Sequence, residues 1–144
     1  MATIRVRLEP EDQMKRVTGI GGVFFRAKDP KALSAWYKTH LGIDAQEWGG
    51  TAYAAFDWAD ANGNPTKGTT VWSIHAADSN HMAPSDSTFM INYRVEDLAG
   101  LLQALRDEGC EVIEKTEDTE YGKFGWVMDP EGNKIELWQP PAEQ

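Results

Sequence analysis

The chain has 144 residues, of which 41% are hydrophobic and 26% are charged, a balance typical of a folded globular protein. Its formal net charge of −9 disfavours nucleic acid as a partner, because the phosphate backbone would be repelled. The apolar runs are too short to cross a bilayer and the start lacks the apolar core of a signal peptide, so no membrane partner is expected. A single cysteine, Cys110, cannot form an internal disulfide, which favours a cytoplasmic location.

The first half of the chain predicts an arm, a strand, a helix and three further strands. Residues 1–16 are mostly polar and include one strand-like stretch at 3–8, which indicates an N-terminal arm or an extra strand. Residues 23–27 have the composition of a strand, and Asp29-Pro30 then fits the cap and first turn of a helix. The apolar face of this helix is Leu33, Trp36, Tyr37 and Leu41. Three strands are predicted after it, at 43–48, 51–58 and 69–75.

The second half repeats the same order. A strand at Phe89–Val95 precedes a leucine-rich helix capped by Asp97, and three strands follow at 111–116, 123–128 and Lys134–Gln139. Three pairs of like residues are 68 positions apart: Arg26 and Arg94, Asp29 and Asp97, and Leu33 and Leu101. The sequence therefore predicts an α+β domain over residues 17–140, made of two βαβββ modules at 17–76 and 87–140 with a polar linker at 77–86.

Two motifs carry a resemblance to a known family. Residues 125–138, GWVMDPEGNKIELW, resemble the signature of the glyoxalase / bleomycin-resistance / dioxygenase (vicinal oxygen chelate) superfamily. Residues 23–42, which end in YKTHLG, are similar to its first strand and helix. The resemblance implies paired βαβββ modules whose sheets curl around a cavity, often completed in a homodimer. It does not select a function, because the superfamily includes lyases, isomerases, dioxygenases and drug-sequestering proteins.

The resemblance also implies where a metal ion would bind. Family enzymes hold one divalent ion with side chains from the first and last strands of each module, and the matching positions are Gly22, Trp72, Met90 and Glu136. Of these only Glu136 can ligate a metal, and residues 17–25 and 87–94 contain no His, Asp, Glu or Cys. We therefore expect no metal and no other cofactor at this site. A displaced site made of His75, His81 and Glu136 stays open, although His75 lies an odd number of positions from Trp72 and would need a bulge to reach the cavity.

Strand alternation predicts which side chains face the cavity. Val23, Phe25 and Ala27 suit the face covered by helices, so the residues between them face the other way. The predicted ligand-binding residues are Phe24, Trp72, Met90 and Trp138 as an aromatic and apolar floor, Asn92 and Glu136 as its polar groups, and Trp58 and Trp126 as candidate walls.

Glu136 is the candidate catalytic residue. Burial among tryptophans should raise the pKa of Glu136 unless Arg26 or Arg94 pairs with it, and such a carboxyl could act as a base or as a counter-ion for a cation. A purely structural salt bridge to an arginine is the alternative.

Three functions follow from these residues. The first is a metal-free protein that binds a small molecule, in particular a planar or cationic aromatic compound, as in the bleomycin-resistance branch. The second is a glyoxalase-like lyase or isomerase that uses Glu136 as a base or a displaced metal. The third is an interaction module whose sheet faces serve only dimerisation.

Overall fold

The structure, a computed structural model, describes residues 16–142; the strand expected at 3–8 lies outside them. The elements follow in the order β1 (Val17–Ala27), α1 (Pro30–Leu41), β2 (Gln46–Trp48), β3 (Thr51–Ala59), β4 (Pro65–Ala76), β5 (Phe89–Val95), α2 (Leu98–Asp107), β6 (Glu111–Thr119), β7 (Gly122–Met128) and β8 (Lys134–Gln139). The order strand, helix and three strands therefore occurs twice, which confirms the predicted α+β class built from βαβββ modules.

All eight of these strands form one sheet, in the order β2-β3-β4-β1-β5-β8-β7-β6. In each half the first strand runs parallel to the last, and the two first strands, β1 and β5, pair antiparallel at the centre. There Gly22 opposes Asn92, and Phe24 opposes Met90. Gly22 and Met90 are 68 positions apart, as are Phe24 and Asn92, so an approximate two-fold axis relates the two modules.

The helices begin at the predicted caps. The carboxylates of Asp29 and Asp97 each accept a hydrogen bond from the backbone N–H three residues later, over 3.1 Å and 3.0 Å. Gly42 adopts φ 72°, the left-handed conformation that ends α1 without a steric penalty from a side chain. Local capping chemistry thus sets where each helix meets the sheet.

The two helices cover the same face of the sheet to different extents. The buried cluster under α2 consists of Val95, Leu98, Leu101, Leu102, Val127 and Leu137. Under α1, Leu33 and Tyr37 are half-buried, whereas Trp36 and Leu41 remain 51% and 61% exposed. The predicted apolar face of α1 is therefore only partly packed, since Trp36 rests against Tyr37 and His40 of its own helix. No helix within residues 16–142 is long and apolar enough to span a membrane.

Candidate functional site

The sheet face opposite the helices holds a cleft with two adjoining compartments. The smaller has a volume of about 490 Å³ and the larger about 770 Å³. Tyr121, Phe124 and Glu136 line both, so Glu136 stands at their junction. The smaller compartment is otherwise lined chiefly by Phe24, Asp57, Thr69, Val71, Asn92 and Trp138. The larger is lined chiefly by Trp48, His81, Lys115, Glu117, Trp126 and Lys134.

Glu136 is a buried carboxylate held by two neutral donors. Strand register places Asn92 opposite Glu136 on β5 and Trp126 opposite it on β7. Asn92 Nδ2 donates to Oε1 over 2.7 Å and Trp126 Nε1 donates to Oε2 over 2.9 Å. Burial raises the pKa of Glu136, and the hydrogen bond from Asn92, the nearby His81 and the bond from Trp126 oppose that rise. The group therefore takes up a proton more readily than an exposed glutamate would.

The two arginines considered as partners of Glu136 are engaged elsewhere. Arg26 donates to the backbone carbonyls of Asp86 and Ser87 at the end of the linker. The guanidinium of Arg94 lies between the rings of Trp58 and Trp138, 4.8 Å and 5.1 Å from their centroids. Within the described part of the chain, the hydrogen bonds to Glu136 come from Asn92 and Trp126, so the arginine salt bridge is not what holds this carboxylate.

The sequence prediction placed Trp72 on the wrong face. Trp72 opposes Val23 in the sheet, and its ring packs on Phe25 (5.5 Å between centroids) and on Tyr37 of α1 (5.0 Å). The counterpart of Glu136 in the first module is Ser73. Phe24 opposes Ser73 in the same way that Asn92, 68 positions later, opposes Glu136.

Two other predicted residues lie near the cleft without lining its two compartments. Met90 is fully buried in a cluster with Phe24, Met82 and Trp126, and so lies beneath the floor. Trp58 is displaced toward one end of the sheet, where its Nε1 donates to Thr70 Oγ1 over 2.8 Å. Phe24, Asn92, Glu136 and Trp138 line the cleft, as the alternation of their strands predicts. Trp126, a candidate wall whose face the sequence left open, lines the larger compartment.

His75 faces the cleft without a bulge. Trp72 points toward the helices, so a residue three positions later points away from them. The His75 ring stacks on His81, with centroids 5.0 Å apart and 10° between the planes, and its Nε2 shares a 2.9 Å hydrogen bond with Ser73 Oγ. His81, on the linker, brings its Nε2 to 3.9 Å from Glu136 Oε2. The structure thus gathers the three residues of the displaced site on one face.

Several residues that line the cleft were not among the predicted ligand-binding residues, and the sequence indicates them only weakly. Phe124 lies two positions before Trp126 on β7, and Lys134 lies two before Glu136 on β8, so alternation from a known lining residue could have found both. Tyr121 sits in the turn between β6 and β7, where no periodicity exists. Asp57 lies in the regular part of the β3–β4 pairing on the face of Ala55, but the candidate wall residue on β3, Trp58, has the opposite parity and so did not point to it.

The residues present do not fit the metal centre that the fold family implies. Gly22 has no side chain, and the Phe24 ring fills its place, because a Cβ on Gly22 would lie 2.7 Å from Phe24 Cζ. Met90 is apolar and fully buried, and Ser73 offers only a hydroxyl. Within residues 16–142, no three His, Cys, Asp or Glu side chains are arranged to hold a metal ion.

Comparison with known families identifies the domain. Residues 22–138 match the model of the glyoxalase-like domain. The chain belongs to this family. The match confirms the resemblance to the vicinal oxygen chelate superfamily that residues 23–42 and 125–138 carry. No curated protein sequence matches the chain.

The glyoxalase-like chain shares its fold with several solved structures. Methylmalonyl-CoA epimerase from Mycobacterium tuberculosis is 20% identical, with a TM-score of 0.60 over 87% of this chain and 89% of that one. A Streptomyces coelicolor methylmalonyl-CoA epimerase variant bound to 2-nitronate-propionyl-CoA is 17% identical, with a TM-score of 0.62 over 88% and 99%. A glyoxalase/bleomycin resistance protein/dioxygenase superfamily member from Vibrio splendidus is 14% identical, with a TM-score of 0.56 over 83% and 97%. At these identities the likeness shows the fold alone.

The stacked histidines predict a pH-dependent stability of the glyoxalase-like domain. Burial and the neighbouring His81 lower the pKa of His75 to about 4, so between pH 4 and 6.5 the unfolded chain binds more protons there than the folded one. Stability is therefore lost as pH falls through this window. Wild type should lose about 1–2 kcal/mol more than His75→Gln between pH 7 and pH 4.5.

Urea unfolding of both proteins at pH 7.0 and 4.5 measures this difference. The raised pKa of Glu136 acts with the opposite sign but is present in both proteins, so it largely cancels. His40→Gln, which removes an exposed histidine on α1, is the control and should follow wild type. Equal losses in wild type and His75→Gln would contradict the burial of this ring.

Proposed function

We propose that the cleft binds a planar aromatic compound carrying a cationic group, without a metal ion. The observation that carries this proposal is the buried Glu136 carboxylate at the junction of two aromatic-lined compartments. Its hydrogen bonds from Asn92 and Trp126 fix its position and leave lone pairs free to accept from a ligand.

The smaller compartment suits the ring system of such a ligand. Phe24, Phe124 and Trp138 supply flat apolar surface, and the Phe124 and Trp138 rings are stacked with 8° between their planes. Its charged lining residues, Asp57 and Glu136, are both acidic. A cation that enters this compartment gains Coulomb attraction and a hydrogen bond to a charged acceptor, which contributes about 1.5–3 kcal/mol.

Titration with a matched pair of probes tests the proposal. 9-Aminoacridine is cationic at pH 8, whereas acridine is neutral there, and both report binding by quenching tryptophan fluorescence. We expect saturable binding of 9-aminoacridine with a rise in Tm, and weaker binding of acridine. Glu136→Gln should weaken 9-aminoacridine binding by about tenfold or more, because the charged acceptor is lost.

Glu117→Gln is the matched control, since Glu117 lines only the larger compartment and pairs with Lys115 over 3.1 Å. It should retain the preference for the cation. Circular dichroism must show that Glu136→Gln is folded; Asn92 can still donate to its amide oxygen. The absence of saturable binding across planar aromatic cations and their neutral counterparts would contradict the proposal. So would one equivalent of a transition metal per chain after purification without chelator.

Proton transfer by Glu136 is a second candidate function, favoured by the 3.9 Å approach of His81 Nε2. A carboxyl with a raised pKa beside an imidazole can remove a proton from carbon and return it, which is the chemistry of an isomerase. Exchange of solvent deuterium into carbonyl compounds with an acidic C–H tests it. Loss of exchange in both Glu136→Gln and His81→Gln would support this role; exchange unchanged in both would exclude it.

A homodimer and a cytoplasmic location are the further predictions that accompany this proposal. The family resemblance supports the first, and the lone Cys110, which is exposed, supports the second.

A further inference from the structure

Lys134 presents a half-buried ammonium group to the larger compartment. It lies two residues before Glu136 on β8 and faces the cleft with it. Its Nζ donates to the backbone carbonyl of His81 over 3.0 Å and lies 5.2 Å from the centroid of the Trp126 ring. Among residues 16–142, no carboxylate oxygen lies within 4.0 Å of this nitrogen, so its close contacts are the His81 carbonyl and the Trp126 ring, without an ion pair.

The two compartments differ in charge. The smaller is lined by Asp57 and Glu136 and by no described lysine or arginine. The larger compartment is also lined by Lys115 and Lys134. Glu117 neutralises the charge of Lys115, because the two form an ion pair. Burial lowers the pKa of Lys134 and the nearby Lys115 lowers it further, whereas Glu136 and Glu117 act in the opposite direction. Lys134 is thus a partly desolvated cation, and an anionic group bound beside it would stabilise its charge.

We propose that the larger compartment is a subsite for an anionic group of the ligand, with Lys134 as its principal charged contact. This inference rests on the proposed function and adds that the ligand is amphoteric: its cationic ring system lies by Glu136, and an acidic substituent reaches Lys134. The Cα atoms of alternate strand residues are roughly 7 Å apart, so the two ligand charges are expected to be separated by a distance of this order. The donor groups of His81 and Asn80 on the linker adjoin the same subsite.

Paired probes that differ only in this acidic group test the inference. 9-Aminoacridine-2-carboxylate holds its acid group on the outer ring, well apart from the protonated ring nitrogen, and the 2-carboxamide is its uncharged counterpart. By isothermal titration calorimetry at pH 7.5, wild type should bind the carboxylate at least about tenfold more tightly than the carboxamide. Lys134→Met, which preserves the aliphatic stem, should reduce this ratio to about two or below.

Lys123→Met is the matched control, because Lys123 is an exposed residue of the neighbouring strand β7, and alternation places it on the opposite face from Phe124 and Trp126. It should retain the wild-type ratio. Should Lys134→Met unfold, Lys134→Gln provides the same comparison with a polar side chain. Equal binding of the two probes by wild type, or a preference that survives loss of Lys134, overturns the inference while the proposed function stands. If wild type binds neither probe and does not bind 9-aminoacridine, the proposed function fails and this inference fails with it.

Discussion

Gly68→Ala should lower the free energy of unfolding by about 3–5 kcal/mol. Gly68 adopts φ +142°, a region that side chains disfavour, and this strain contributes about 1–3 kcal/mol. A Cβ there would also lie 2.6 Å from Trp58 Cδ2 and closer still to Cε3. The Trp58 ring cannot move aside freely, since it is hydrogen-bonded to Thr70 and stacked on Arg94.

Gly63→Ala separates the backbone strain expected in Gly68→Ala from its steric clash with Trp58. Gly63 also has a positive φ, +83°, but nothing lies within 4 Å of a Cβ built on it. Gly63→Ala should therefore lower the free energy of unfolding only by the cost of backbone strain, about 1–2 kcal/mol. Urea unfolding of both variants measures the difference. Similar losses at the two positions would mean that Trp58 does not pack against Gly68 as described.

Leu102→Ala should destabilise the chain by about 3 kcal/mol, because it leaves a cavity in the cluster beneath α2. Leu102 is 4% exposed and packs directly over Gly125 of β7, where an added Cβ would lie 2.8 Å from Leu102 Cδ1. Leu105→Ala, on the same helix, removes an equal side chain that is only half-buried and should lose about 1 kcal/mol.

A double variant sharpens this prediction. Gly125→Ala alone should destabilise by about 1–3 kcal/mol through the clash with Leu102. In the Leu102→Ala background the new methyl group enters the vacated space, so the two losses should fall short of additivity by about 1 kcal/mol or more. Thermal and urea unfolding of the four proteins complete the cycle. Strict additivity would show that α2 does not rest on β7 in this register.

Local sequence signals account for much of the fold. Asp29 and Asp97 cap helices, and the leucines of α2 repeat with helical spacing, because both features depend on residues three or four positions apart. The internal repeat of 68 positions is likewise visible in the sequence, and it correctly relates Phe24 to Asn92.

Local sequence signals do not decide which face of β4 points toward the cleft. Alternation correctly groups Trp72 with Thr70 and Ile74, but it does not say which face this group occupies. β4 has 12 residues and its counterpart β8 has 6, so matching the two strands by motif slipped by one position and exchanged Trp72 for Ser73. The same error of one position led the sequence prediction to place His75 on the face opposite the cleft. Only pairing with β1 establishes the register.

Sequence alone determined that this chain is a repeated βαβββ protein, because residue identity and local periodicity carry the repeat. The family resemblance added that, of the positions matched to metal ligands, Glu136 has the side chain that can ligate a metal. The tertiary structure decided which face each strand turns inward. It also brought His81 of the linker and Trp126 to the same carboxylate, although His81 precedes Glu136 by more than 50 positions, and it brought Lys134 to the backbone carbonyl of His81. Such proximity depends on hydrogen-bond register between distant strands, which the order of residues within one strand does not encode.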